Sequence, residues 1–493
     1  MTYTHIIVGA GAAGCVLAEG ISRDQRNQVL LLEAGPDHPL AELPDELWDG
    51  TTPAIGSHDW GLVTTARIAL PAGRVVGGSS QIGGGVALRP EPTDIAAFPA
   101  PWNWEDLLCQ FEDLERAMSV RCAAALTEAS AAFIATCRAL GFPDVDDHNA
   151  PFTTGVGKAP LNIRPDGTRV SARLAFLERA RDRGNLDVCG DATVERVVLY
   201  GTGAEGVEYT RRGERRVAAA PNVILAAGAY GTPVLLHASG IGPRAVLEGA
   251  GIDVVLDAAG VGANLSEHSQ VPIPFLHRRF SYDQTVPCVQ TLLRYTSSLS
   301  GHRRNDMQLC LLNHVDLPTY HSRLAVAWES PIASALTSNL MLPVARGTVA
   351  LGADRRPVIE YDFAAEERDL ARHREGVRNL CRMLESEAFA RFVERTHRPA
   401  DEILADDRAL DAWITHNIQP GHGPVGTARM GAADDTSAVV GPNLAVHGTD
   451  GLYVADASVL PDPVRANTNL AVMAVARVGV RLLSDAHRRR VLT

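Results

Sequence analysis

The stretch His5 to Gly14, HIIVGAGAAG, constrains the fold more than any other part of the chain. HIIV suits a buried parallel strand, and the glycines at 9, 11 and 14 let the backbone turn tightly and approach a pyrophosphate. The next segment, AAGCVLAEGIS, is helical in pattern, so Ala12, Ala13 and Gly14 open a helix whose free N–H groups face the phosphates. A second apolar strand, QVLLLEAG, carries Glu33 and Ala34 at its end. Glu33 stands nineteen residues past Gly14 (33 − 14), where a carboxylate accepts hydrogen bonds from a ribose. This context favours dinucleotide binding over a plain glycine-rich turn.

A chain of 493 residues, 46% of them hydrophobic, buries enough surface for two or three domains. Its net charge of −12 argues against nucleic acid as the main partner, and its densest basic run, RRGERR at 211–216, reads as a hairpin tip. No charged n-region precedes the first strand, and no run of about 18 apolar residues occurs. The expectation is a cytoplasmic protein with no membrane anchor. Eight cysteines are scattered without a C-x-x-C, which suits buried thiols and predicts no metal site.

Residues 36–70 are loop-rich. Pro71 to Pro90, PAGRVVGGSSQIGGGVALRP, holds six glycines and two serines in twenty residues, a density that leaves exposed N–H groups to line a flat cofactor. Helices are expected over 102–141 and from Val170, then a strand through Val194, a hairpin through Arg212 and a third buried strand, NVILAAG, reaching Ala227 and Gly228. Between about 270 and 410, strands such as NLMLPVARGTVALG and PVIEYDF flank polar loops before a helix from Ala364 to Leu384. The last section carries PGHGPVGTARMG, GLYVADAS and a long apolar helix from Thr468, whose dipole would face the centre of a cofactor.

Taken together, these motifs resemble the glucose-methanol-choline oxidoreductases, FAD-dependent enzymes that usually oxidise alcohols to carbonyls. The resemblance runs through GAGAAG with Glu33, GRVVGGSS, GAYGTPVLLHASGIG (Gly228 to Gly242), VGANLSEH (Val261 to His268), PVGTARMG, LYVADASVLP and NTN. It implies an α/β (α+β) fold, a Rossmann-like FAD-binding domain with a second, antiparallel-sheet substrate domain. The FAD-binding domain would comprise residues 1–268, with helical insertions at about 91–160, and 411–493; the substrate domain would span 269–410. The resemblance places Val194 against the adenine and Gly77, Gly78, Ser79, Ser80 and Gly83 in the first signature. Asp456 and Ala457 would lie along the pyrophosphate and ribityl region, with Thr468 and Asn469 toward the isoalloxazine. Asp456 also suits a plain helix N-cap.

Alcohol oxidation needs a base for the hydroxyl proton and a flavin for the hydride, and histidine suits the base because its ordinary pKa is near the operating pH. In the family that histidine immediately precedes the residues matching Pro424, Val425, Gly426 and Thr427; here the slot holds Gly423, and His422 stands one position earlier. A loop-out at the flanking Gly421 and Gly423 brings His422 to the flavin; without one, His422 is structural. Asn467 matches the second polar position of the family, and also suits an N-cap. Ile82 replaces the histidine that some members join covalently to FAD, which implies noncovalent FAD, and Gly83 replaces a usual asparagine. The favoured activity is oxidation of a small-molecule alcohol, with oxygen, a quinone or a redox carrier as acceptor. The alternatives are a lyase or decarboxylase on the same scaffold, or a weakened flavoprotein kept for binding.

Overall fold

The computed structural model describes residues 3–278, 282–301 and 303–491, with no account of the side chains of 322 and 485–491. The chain opens with β1 (His5–Val8), α1 (Ala12–Ile21) and β2 (Val29–Leu32), both strands buried throughout. The glycine-rich loop leads into α2 (Ser79–Ile82). The two expected helices are α3 (Trp104–Ala117) and α4 (Glu128–Ala139), whose caps Asn103 and Thr127 accept from the amides of Asp106 and Ser130. β3 (Gly155–Lys158) then runs inside the stretch expected to be a helical insertion.

The helix expected after Val170 is instead a π-type turn over Arg173–Leu177. The buried Arg173 guanidinium pairs with Glu178 at 2.6 Å, and this five-residue spacing matches the hydrogen bond from the Glu178 amide to the Arg173 carbonyl. β4 (Leu186–Cys189) precedes a meander of β5 (Ala192–Tyr200), β6 (Gly203–Arg211) and β7 (Glu214–Ala219). β8 (Asn222–Leu225) and α5 (Gly228–Ala238) follow.

The middle of the chain supplies β9 (Ser269–His277), β10 (Val289–Tyr295), β11 (Met307–Asp316), α6 (Leu317–Trp328) and β12 (Ile332–Leu340). The strand expected to continue through PVAR stops at Leu340, because the Asp369 carboxylate takes the amides of Val344 and Ala345 out of any ladder. The hairpin β13 (Thr348–Leu351) and β14 (Pro357–Glu360) leads to α7 (Glu367–Glu385) and β15 (Val393–Thr396). The chain closes with β16 (Gln419–Pro420), β17 (Leu452–Val454) and α8 (Thr468–Val491).

Five strands form a parallel sheet in the order β17-β8-β1-β2-β4, its buried aliphatic side chains packed against α1 and α8. A second, antiparallel sheet runs β15-β9-β12-β11-β10-β3, with β16 added to β9. Its strands carry Val271, Ile273, Leu309, Leu311, Leu336 and Leu340 into a separate core beneath α7. The opposite face of this sheet is left to cover the carboxyl ends of the parallel strands, where α/β folds bind ligands. Among the described residues no helix is long and apolar enough to cross a membrane. Six cysteines are buried, Cys122 is partly so, and Cys109 is exposed.

Candidate active site

A cavity of about 540 Å³ runs from the first turn of α1 to the face of the antiparallel sheet. At its α1 end Gly9 has φ +100°, and a Cβ there would sit 2.5 Å from the Ala226 carbonyl oxygen. A Cβ on Gly14 would lie 1.9 Å from the Gly9 oxygen, so the turn closes only with glycine at both places. The first turn of α1 has no side-chain cap and no acidic residue, which leaves its amides to an anion. The second glycine loop meets the first here. Gly78, at φ +53°, approaches Gly11 so closely that a Cβ would stand 2.6 Å from the Gly11 Cα.

Glu33 lines the same end with Ala34. Its carboxyl oxygens accept the amides of Ala10 and Gly35 at 2.8 and 2.9 Å, and burial raises its pKa to about 7 despite these bonds. Ser79 and Ser80 also line the cavity, but their hydroxyls hold the loop: Ser79 takes the Gly73 amide, and Ser80 donates to the Gly77 carbonyl at 2.6 Å. The Gly83 carbonyl is fixed by the guanidinium of Arg169, a buried residue with no place in the sequence reading. Asp456 is buried and serves as the cap of a short turn. It accepts the Ser458 amide and hydroxyl, the Thr232 hydroxyl at 2.6 Å and the Gly228 amide at 2.8 Å.

Val194, Ala227, Gly228, Ala457, Thr468 and Asn469 reach the cavity as well, while Gly14 and Gly77 stand behind its wall. These features fit FAD: two glycine cradles, uncapped amides at α1, a carboxyl for a ribose and the amino-terminal end of α8, which has no acidic residue in its first turn. Asn467 does not cap α8 through its side-chain oxygen, because Oδ1 is buried without a partner. Such an atom, beside the cavity, is open to a ligand.

The loop carrying His422 explains the one-residue offset. Gly421 donates to the His268 carbonyl, and Val425 and Ser266 exchange both backbone bonds, so residues 422–424 bulge opposite Glu267 alone. His422 takes the left-handed conformation at φ +65°. Its ring opens on the cavity, and neither nitrogen has a protein partner within hydrogen-bond reach among the described residues. The ring is exposed to the open space of the cavity, yet the protein packed around it disfavours the charged form and lowers its pKa to about 4, partly opposed by the charge of Asp59. The Gly423 slot has no room for a side chain: a Cβ there would meet Nδ1 of His268 at 2.6 Å.

His268 itself lines the cavity, and burial likewise lowers its pKa to about 4. Its Nε2 donates to the Val464 carbonyl at 3.0 Å, which fixes the tautomer and leaves Nδ1 as an acceptor on the side of Gly423. Beneath the bulge, Glu267 Oε1 accepts the Gly423 amide at 2.6 Å and Oε2 accepts the Tyr230 hydroxyl at 3.0 Å. Burial raises the Glu267 pKa to about 8.

Residues 3–270 match the amino-terminal GMC oxidoreductase family model and residues 343–476 the carboxyl-terminal one. The chain belongs to the GMC oxidoreductase family. It is 31% identical to an uncharacterized GMC-type oxidoreductase of Rhodococcus erythropolis, over 97% of this chain and 98% of the relative. It is 30% identical to an oxygen-dependent choline dehydrogenase of Photobacterium profundum, over 96% and 92%. The crystal structure of pyridoxine 4-oxidase from Mesorbium loti superposes with a TM-score of 0.85 at 27% identity, over 97% of this GMC oxidoreductase and 99% of that chain.

In the middle section Tyr320 reaches the cavity, while His314, His321 and Trp328 do not line it. His314 is spent on the Val286 carbonyl at 2.9 Å. Gln270, Gln308, Thr337 and Asn339 line this side together with the apolar Val289, Leu312 and Met341, and the sequence reading singles out none of them.

Proposed function

We propose that this GMC oxidoreductase binds FAD noncovalently and oxidises an organic alcohol to an aldehyde or ketone, with His422 as base and Asn467 orienting the hydroxyl. The observation that carries the reading is the bulge at 422–424, which turns a histidine without a hydrogen-bond partner among the described residues into the cavity beside the start of α8. When bound, FAD supplies the acceptor for the hydride. His422 is neutral because of its low pKa, so one ring nitrogen accepts the hydroxyl proton. The Asn467 side chain, with its oxygen uncommitted, positions the alcohol. Glu267, through the Gly423 amide, and His268, through its backbone carbonyl, hold the bulge that carries His422.

Ile82 lines the cavity with an apolar side chain, which supports FAD held without a covalent bond. The alcohol substrates named for the choline dehydrogenase and the pyridoxine oxidase support the CH–OH chemistry. The decisive experiment is anaerobic addition of alcohols to the flavoprotein. Bleaching of the flavin is expected; a flavin left oxidised by every alcohol would point to a non-oxidative reaction.

A further inference from the structure

Three amide side chains form a row across adjacent strands of the antiparallel sheet. Gln270 on β9 lies opposite Asn339 on β12, which lies opposite Gln308 on β11, and all three line the cavity. Because residues two apart share a strand face, the next row is Pro272, Thr337 and Cys310, and polarity fades away from the amides. The amide row adjoins the His422 loop: Gln270 pairs with Gln419, and its Nε2 donates to the Pro420 carbonyl at 3.0 Å.

The amide nitrogens are already engaged. Gln308 donates to the Cys310 sulfur at 3.1 Å, and Asn339 donates to the Gln308 backbone carbonyl and the Thr337 hydroxyl, each at 3.1 Å. Among the described residues no protein donor reaches the three side-chain oxygens, so the row offers acceptors to a ligand. No formal charge stands with them. Arg294, opposite Gln308 on β10, is turned to Glu91 at 2.9 Å and does not line the cavity. Arg355 does, but from the exposed turn between β13 and β14, and Glu33 and Asp456 belong to the cofactor end. A charged ligand would give up its hydration here without a counter-ion.

The geometry points to the amide row as the recognition wall for an uncharged alcohol that carries a second hydroxyl or N–H group. Its reacting hydroxyl faces His422 and its second donor meets the amide oxygens, an assignment that rests on the alcohol-oxidation reading above. Matched ligands test it on the FAD-loaded enzyme, with dissociation constants taken from flavin absorbance titrations or, where bleaching intervenes, from saturation of its rate. Choline and 3,3-dimethylbutanol share a shape and differ in charge, whereas p-xylylene glycol and p-ethylbenzyl alcohol differ in the second hydroxyl. The neutral butanol should bind about tenfold tighter than choline. The glycol should bind about fivefold tighter than its ethyl analogue, and Gln308→Met should erase that preference. Equal or reversed constants in either pair, no binding of the neutral members, or a glycol preference intact in both Gln308→Met and Asn339→Leu would overturn the assignment. If no alcohol bleaches the flavin, the oxidation reading falls while the binding ratios still decide the wall.

Discussion

Replacing Glu267 by Gln and by Ala separates its charge from its hydrogen bonds. The parent carboxyl titrates at about 8 instead of 4.5 because it is buried, so the folded state holds its proton more tightly than the unfolded chain. A raised carboxyl contributes stability that is fully present below pH 4.5 and is lost as pH climbs through about 8, at about 1.4 kcal/mol per pH unit inside that window. Gln has no such titration. Its oxygen can take the Gly423 amide, and its NH₂ can donate to the Tyr230 hydroxyl oxygen, which keeps both contacts while reversing the direction of the second. Ala leaves that amide and that hydroxyl unpaired, at about 1–3 kcal/mol each. Denaturant unfolding across this pH range should therefore show Glu267→Gln gaining on the parent as pH rises, and Glu267→Ala less stable throughout. Stopped-flow anaerobic reduction should be slower in Glu267→Ala at unchanged FAD content, because the loop that presents His422 loses its central anchor. Parallel stability curves for the parent and Glu267→Gln would refute the raised titration, and a parent-like Glu267→Ala would refute the anchor.

His422→Ala should slow flavin reduction on the order of 10² to 10⁴ while FAD content holds. In the parent, the acid limb of that rate should fall below pH 6.5, toward about 4, since a lowered pKa keeps the imidazole neutral further into acid; a limb above 6.5 would contradict it. Glu33→Ala should weaken FAD retention, measured by flavin released on dilution, because the Ala10 and Gly35 amides lose their acceptor along with the ribose site. Gly423→His in the His422→Ala background should not restore reduction, because a Cβ at 423 runs into His268; recovered rates would show that the slot opens on the flavin. Acid precipitation should release FAD into the supernatant, and flavin that stays with the pellet would show a covalent bond.

Much of the nucleotide end was legible because glycine at a fixed spacing reports a backbone need: Gly9 and Gly14 leave no room for a side chain, whatever the rest of the chain does. The buried strands HIIV and VLLL were equally readable from apolar runs of strand length. His268 was visible as the end of a motif, but its role depends on Val464, nearly two hundred residues away, which no local pattern encodes. Whether His422 enters the cavity turned on the pairing of 421–425 with 266–268, a long-range register. The helix expected after Val170 gives way to a turn in which the buried Arg173 reaches the distant His38 carbonyl at 2.5 Å, a tertiary demand that outweighs propensity. The amide row was hidden for a similar reason, since its members become neighbours only once three strands are in register.

The two-residue strand β16 has a consequence for protein engineering. It fastens the segment just before His422 to the first two residues of β9, so His422 and the amide row ride on one ladder. β3, from the first third of the chain, closes the other edge of the same sheet. Residues 269–410 are therefore not an exchangeable cassette. A chimera that imports this span from a relative would cut both edges at once, and could be productive only if it carried 155–158 and 419–422 with it.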